Sequence, residues 1–316
     1  MRGRTHFATS LGVAALAAGC VLITLARDSQ PAHADTADQF VSADLTLALP
    51  SDGDPSFITF EMLMADDGSG DFDARAAAVH NGILSQFPGG VPVTDGQVSA
   101  QYLLKRYKWL DNRPNWSYNP AGKPGSLIGD TAAIGAAAAS WGALGANVSF
   151  VDAGITTATP GACQNVADGR NTVGWRALPA GVLAMTCTYW SASAGATEFD
   201  MQIDPSWLWT TNLSVMRMDL QSVVTHEFGH ALGLDHPCDF TRPTTCDSTD
   251  RTAVMYGSYL AGTNRRTQQP DDIAGILAVY GPDEMHPLPG PAPVAAQSML
   301  QPILPYHQAF AGIIHE

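Results

Sequence analysis

Basic residues are scarce in this chain of 316 residues, which has 16 Lys and Arg against 30 Asp and Glu and a formal charge of −14. Phosphate groups and anionic membrane surfaces are bound by clustered cations, so nucleic acid and such membranes are poor partners for it. No EF-hand loop and no internal repeat is present, which leaves calcium binding open without a readable site. The hydrophobic share of 45% is enough for a globular core.

Long apolar runs are also few, because only residues 7–26 could span a bilayer. This run follows two arginines and precedes Ala32-His33-Ala34, a small-x-small cleavage site before Asp35. The pattern predicts a signal peptide over residues 1–34 and a secreted protein. An uncut run, or lipidation at Cys20, would instead give a membrane-anchored form, and we keep this as the alternative.

Cysteine is rare as well, with five in the chain, of which one lies in the signal. The other four are an even number in an exported chain, which predicts two disulfides. No C-x₂-C pair is present, which argues against a four-cysteine zinc site. Three connectivities are open, and because short loops close most easily we expect Cys163–Cys187 and Cys238–Cys246.

The chain divides into four parts by composition. The signal is followed by residues 35–100, an N-terminal extension or propeptide with strand-like stretches and Asp/Gly-rich turns but no motif. Residues 101–283 have sharper patterns and form the predicted catalytic domain. Residues 284–316 are a Pro-rich tail.

Helices and strands alternate through the third part. An Ala-rich segment, 127–144, has helical spacing, and a helix from Leu220 to Gly233 is capped by Asp219. A third helix opens at Pro270-Asp271-Asp272 and stops at Gly281-Pro282. The predicted strands are Val148–Val151, Thr172–Trp175, Val182–Tyr189 and Glu198–Ile203.

The stretch from His226 to His236 carries the chemistry. His226 and His230 are about 40° apart on one face of a helix, so both imidazoles can reach one ion. A continued helix would place His236 about 240° further round, so the chain must reverse, and Gly233 is where a positive φ is easiest. Three histidines leave the fourth position of tetrahedral zinc for water, which is the catalytic arrangement.

Glu227 follows the first candidate ligand directly. Zinc can lower the pKa of its water to near 7, and Glu227 can take the proton as the water attacks a carbonyl. The metal stabilises the oxyanion, so no serine or cysteine nucleophile is required. A helix whose histidines merely form hydrogen bonds is a weak competitor, because three of nine histidines fall within eleven residues.

These eleven residues resemble the metzincin zinc signature HExxHxxGxxH. Met255, within Ala253–Tyr259, resembles the Met-turn that forms a hydrophobic base beneath the metal. The surroundings of the signature, the Met255-Tyr256 pair and residues 271–276 resemble the matrixins, specifically bacterial matrixin-like enzymes. The resemblance covers about residues 101–283 and is strongest over 219–282.

The resemblance implies an α+β (α/β-like) fold with a twisted five-stranded mixed sheet and three helices. It places zinc in a cleft between an upper and a lower subdomain, with Glu198–Ile203 as the edge strand that pairs with substrate. It further implies that Asp271 or Asp272 supports the Met-turn. Tyr256 lies one residue past Met255, and not two as the transition-state tyrosine of astacins and serralysins does, so we expect it to pack in the core. The expected protein is a monomeric zinc metalloendopeptidase with one zinc and a polypeptide substrate.

Two family features are missing from the sequence. No cysteine lies between Cys20 and Cys163, so there is no cysteine switch, and any latency requires another device. The histidine-rich loop for a second zinc is also missing, since only His80 lies between the cleavage site and His286 outside the signature.

Two alternatives stay open. One is a catalytically inactive metzincin-fold peptide-binding protein, whose usual mark, loss of Glu227 or of a histidine, is not seen here. The other is a zinc hydrolase of cell-wall peptides. Casein, peptidoglycan and peptide-library assays separate them.

N-terminal sequencing checks the predicted boundaries. The secreted form should begin at Asp35 or, after activation, before Tyr107, because signal cleavage and activation cuts fall outside the catalytic domain. A mature N-terminus inside residues 107–283 would contradict these boundaries.

Overall fold

A mixed β-sheet runs through the protein, with helices packed against it. The computed structural model describes residues 44–68, 70–93, 97–98, 103–213, 216–238 and 246–283. These ranges all fall within the unit Phe40–Glu316. The predicted signal peptide, Cys20 and the tail 284–316 lie outside the described residues. None of the helices described has the length and apolarity required to cross a bilayer.

Helices and strands are interspersed along the described residues. The helices are α1 (Phe72–Gln86), α2 (Asp130–Gly142), α3 (Leu220–Ala231) and α4 (Pro270–Tyr280). The strands before α2 are β1 (Leu45–Leu49), β2 (Ser56–Ala65), β3 (Val91–Val93), β4 (Gln97–Val98), β5 (Leu103–Leu104) and β6 (Asn115–Asn119). Those after α2 are β7 (Val151–Ile155), β8 (Thr172–Trp175), β9 (Val182–Ser191), β10 (Gly195–Ile203), β11 (Trp209–Thr210), β12 (Met218–Asp219) and β13 (Ser258–Tyr259).

The main sheet has the order β3-β1-β2-β9-β10-β8-β6-β7, and β13 pairs with the end of β2. Strands β10, β8, β6 and β7 are parallel, whereas β9 is antiparallel to β10. This confirms the α+β class and the mixed arrangement of the five strands β9-β10-β8-β6-β7.

The sheet is larger than five strands, because β1, β2 and β3 of the N-terminal extension join it beside β9. A fourth helix, α1, comes from the same extension. Its buried residues Ala76, Val79 and Ile83 have helical spacing, so its sequence contained a signal for it. The prediction of three helices covers only α2, α3 and α4.

The predicted substrate-pairing edge is wrong. Glu198–Ile203 lies inside the sheet, between β9 and β8. The antiparallel strand that ends the five-stranded part is β9, because the chain turns back at the hairpin between β9 and β10. The sequence pattern identified both strands but not their order, since order depends on long-range pairing. The strand predicted at Val148–Val151 begins at Val151 instead.

Helix α3 packs against α2 and carries the histidines. Asp219 caps it by accepting a hydrogen bond from the Ser222 backbone N–H at 2.9 Å, as the sequence predicts. Arg266 holds the same carboxylate through two N–H groups. Trp141 of α2 donates from its indole to the Thr225 carbonyl of α3 at 2.8 Å. The histidine-bearing helix is therefore fixed at its start and along one side.

Both predicted disulfides are present. Cys163 is bonded to Cys187, and Cys238 to Cys246. The first ties the loop before β8 to β9. The same loop is held by Asp200 and Glu198, whose carboxylates accept backbone N–H groups from Ala162 and Thr172 and from Asp168 and Gly169, respectively.

Removing the first disulfide should destabilise the fold more than removing the second. The bonded cysteines are 24 residues apart in the first and 8 in the second. The chain-entropy relation then gives losses of about 3.5 and about 2.5 kcal/mol in the free energy of unfolding. Urea unfolding of Cys163→Ala/Cys187→Ala and of Cys238→Ala/Cys246→Ala measures both. Unfolding midpoints equal to wild type would contradict a stabilising role.

Candidate metal centre

Three histidine side chains converge at the end of α3. The Nε2 atom of His230 lies 2.9 Å from that of His226 and 3.2 Å from that of His236, and the remaining pair is 3.2 Å apart. All three side chains are buried. The spacing of the first two on one helical face produces this convergence, as expected from the sequence.

His236 reaches the other two because the chain leaves the helix at Gly233. This glycine has φ +90°, and its N–H donates to the His230 carbonyl at 2.7 Å. A side chain at this position would also overlap the carbonyl oxygen of Tyr107, and the Gly233 carbonyl accepts the Lys105 N–H at 2.9 Å. The glycine is therefore required both by backbone conformation and by the close approach of a neighbouring segment.

The Nδ1 atoms of all three rings face acceptors. Nδ1 of His226 lies 2.7 Å from the Val254 carbonyl, and that of His230 lies 2.9 Å from the Leu234 carbonyl. Nδ1 of His236 lies 3.4 Å from the Asp44 carboxylate. These partners favour the Nδ1–H tautomer, which leaves three Nε2 lone pairs directed at one point. A cation between the rings would accept these three lone pairs, which otherwise repel one another.

Zinc fits this arrangement. Zn–N distances of about 2.0–2.1 Å in tetrahedral geometry place ligand nitrogens about 3.3 Å apart, close to the observed 2.9–3.2 Å. Three imidazoles, each neutral when its Nε2 binds a metal, are also a donor set that suits zinc. Among the described residues, the only other group of potential metal ligands is Asp44, Asp235 and His236, which shares the third ring.

Met255 packs against the helix that carries the histidines. A Cβ at Gly229 would overlap the Met255 sulfur and the Trp141 ring, so a residue without a side chain is needed at this point of the helix. The turn itself is held by Asp272, whose two carboxylate oxygens accept the N–H groups of Val254 and Met255 at 2.9 and 3.0 Å. Of the two candidates, Asp272 is thus the one that contacts the turn.

Glu227 lies beside the histidines with its side chain fully buried. The Thr186 hydroxyl of β9 donates to Glu227 Oε2 at 2.6 Å. Burial raises the pKa of Glu227 to about 8, although the neighbouring His230 and the Thr186 hydrogen bond act in the opposite direction. The carboxyl group is therefore enclosed, and burial favours its neutral form.

A buried cluster of charged residues surrounds the rear of the histidines. Lys105 Nζ lies 2.9 Å from Asp44, 3.1 Å from Asp235 and 3.7 Å from Glu61. Burial disfavours a charged Asp44, but Lys105 holds its pKa well below the usual range. Burial disfavours charge on His230 as well, yet Glu61, 3.0 Å from Nδ1, raises the pKa of that ring to about 9.

Glu61, Asp44 and Lys105 were not among the site residues predicted from the sequence. Glu61 is a single carboxylate within the apolar run of β2, and an acid in such a run indicates a buried partner. That signal was readable, but the identity of its partner was not, because His230 is 169 positions away in the chain. Asp44 and Lys105 carry no comparable local signal.

Comparison with known proteins agrees with this geometry. A family model described as matrixin matches residues 177–281. Interstitial collagenase of Bos taurus is 39% identical over 106 residues, which is 34% of this chain and 19% of the relative. Matrix metalloproteinase-20 of Homo sapiens is 37% identical over 105 residues, 33% of this chain and 18% of the relative.

Residues 177–281 of the chain are matrixin-like. A plant relative, metalloendoproteinase 1-MMP of Arabidopsis thaliana, is 41% identical over 70 residues, 22% of this chain and 16% of the relative. The chain spans less than a fifth of the length of these relatives. The family match, over residues 177–281, includes the three histidines. The bacterial subgroup stays a prediction.

Substitution of Gly233 tests how the third histidine is placed. Gly233→Ala should weaken zinc binding, because a positive φ costs a side-chain residue about 1–2 kcal/mol and the Cβ would displace the Tyr107 segment. Gly154→Ala is the matched control, since Gly154 has φ +87° and no neighbouring atom within 4 Å of where a Cβ would lie. Zinc titration of both variants measures the difference. Equal zinc affinity in the two would contradict the placement of His236 by this turn.

Proposed function

We propose that the chain is a secreted zinc-dependent endopeptidase that hydrolyses peptide bonds in proteins. The observation that carries the proposal is the convergence of three Nε2 atoms beside one enclosed carboxylate, Glu227. The matrixin match over residues 177–281 supports the same reaction class.

His226, His230 and His236 would hold the zinc. The ion supplies Lewis acidity for carbonyl polarisation and water activation. The Nδ1 contacts to Val254, Leu234 and Asp44 keep the rings oriented, which preserves the ligand geometry during turnover. Asp272 supports the His226 ring indirectly, because it holds the turn that carries the Val254 carbonyl.

Glu227 serves as the general base. It accepts a proton from the attacking water and passes it to the leaving amine nitrogen, so that one carboxyl group completes the cycle. Thr186 orients the carboxylate through Oε2, which leaves Oε1 for the water. This role requires an ionised Glu227, and opening the buried site to solvent would lower the pKa of its carboxyl from the raised value.

The substrate is an extended polypeptide that binds by strand addition to β9. Strand β9 carries Thr186 and ends the five-stranded part of the sheet, so substrate would pair on its side away from β10. Backbone pairing of this kind is tolerant of substrate sequence. The two disulfides favour an exported protein, because such bonds persist in oxidising compartments.

A monomer with one zinc is the simplest assembly, and calcium binding stays a prediction.

Retention of Glu227 beside all three histidines argues against an inactive peptide-binding module. A cell-wall peptidase would use the same chemistry, so the substrate assay decides between it and a protein-directed enzyme.

Replacing Glu227 tests the base. Glu227→Ala should abolish peptide-library turnover while zinc stays near one per chain, because the carboxylate moves a proton and does not hold the metal. Turnover and zinc content should be measured before and after limited proteolysis of the isolated chain. Glu198→Ala, which removes a buried glutamate elsewhere, is the control and should keep turnover. If the Glu227→Ala variant retained activity, Glu227 would not be the general base.

A further inference from the structure

The outer side of β9 is already paired in this structure. Strand β2 runs antiparallel to β9, with Ser56 opposite Ser191 and Met64 opposite Val182. The end of β2 also runs parallel to β13, with Ser258 opposite Met64. The end of β2 therefore lies between the strand that carries Thr186 and the segment that follows the Met255 turn, whereas Ser56–Phe60 pairs with β1 on that side.

Backbone hydrogen bonds join the end of β2 to the segment around β13. Met64 N–H donates to the Gly257 carbonyl at 3.1 Å, and Asp66 N–H donates to the Tyr259 carbonyl at 2.9 Å. Both walls of the cleft thus bond to one extended segment, in the manner expected for a bound polypeptide.

The side chains of β2 also contact the metal centre. Glu61, opposite Thr186 in the sheet, lies 3.0 Å from His230 Nδ1. Leu63, two residues later on the same face, is 1% exposed and belongs to the apolar cluster that includes Val223 of α3 and Met255. The segment therefore contacts the site through Glu61 and is buried in the apolar cluster beside it through Leu63.

The consequence is a closed site. Glu227 and His230 are 0% exposed and His226 is 1% exposed, so a polypeptide cannot reach them while β2 is in place. A tethered strand also competes at high effective concentration with any substrate in solution. No side chain of β2 is among the three that converge through Nε2, so the block is by occupation of the cleft and not by capture of the metal.

Exposed turns flank the strand. Residues 51–55 before it and 66–68 after it are exposed, and the second turn contains Gly68 with φ +76°. Turns of this kind are preferred sites of proteolytic cleavage. Cleavage at either turn would untether β2 from one of its neighbours.

We propose that Ser56–Ala65 is an intramolecular inhibitory strand that occupies the substrate-binding side of β9 in a substrate-like manner. This inference rests on the proposed peptidase function. It supplies a latency device for a chain that lacks a cysteine between Cys20 and Cys163, and activation consists of displacing or removing the strand.

Leu63→Ala tests the strand in the intact chain. Turnover of a short fluorogenic peptide, as kcat/KM, should rise about tenfold or more, because losing buried methyl groups raises the fraction of open molecules by the corresponding factor. Leu127→Ala is the matched control, since Leu127 is equally apolar and buried in the same cluster but lies before α2. It should lower the unfolding midpoint without raising turnover.

A nicked chain gives a second measurement that holds if Leu63→Ala fails to fold. A protease recognition sequence inserted after Asp67, in the exposed turn, allows the strand to be separated from α1. Cutting should raise turnover, and a synthetic peptide of residues 44–65 should lower it again, whereas a scrambled peptide should not.

The outcomes separate the two proposals. Measurable turnover that is equal in the intact and nicked chains would overturn the inhibitory strand and leave the peptidase standing. A Leu63→Ala protein that folds and binds zinc, yet turns over peptide no faster than wild type, would also overturn it. No turnover by the nicked, zinc-loaded chain would remove the proposed function, and the inhibitory role with it.

Discussion

The reversal of the chain at Gly233 is the constraint on which the metal centre depends. Two histidines share a helical face without help, but the third joins them only where the helix ends in a residue that adopts positive φ. The Tyr107 and Lys105 segment packs directly against that glycine. The position of His236 therefore depends on the positive φ of Gly233 and also on a segment that lies about 130 residues earlier in the chain.

The residues around the histidines also come from distant parts of the chain. Each ring is oriented by an acceptor on its far nitrogen, and those acceptors come from the Met255 turn, the helix exit and the N-terminal extension. Asp272 holds the turn, so a residue of α4 supports a ring of α3 through two backbone N–H groups. Elements distant in sequence thus support one small site, and disturbance of any of them reaches the metal position.

The N-terminal extension lies outside the matrixin match and contributes to the surroundings of the histidines. Its strands continue the sheet past β9, and its acids surround Lys105 behind the rings. The same strand that completes the charged cluster closes the cleft, so stabilisation of the described state and exclusion of substrate arise from one set of contacts. Displacing β2 removes Glu61 from this cluster, whereas Asp235, 3.1 Å from Lys105 Nζ, does not belong to the strand.

The sequence alone determined the helix that carries His226 and His230, its Asp219 cap and the break at Gly233, because each depends on local spacing. Easy closure of short loops favoured the two disulfides among three open connectivities, and the resemblance to the metzincins implied the α+β class. Tertiary structure decided that β9 and not Glu198–Ile203 ends the five-stranded part, that Glu61 and Asp44 contact the histidines, and that β2 fills the cleft. These features depend on strand pairing across more than 100 residues, and a period of two specifies which face of a strand is buried but not which strand lies beside it.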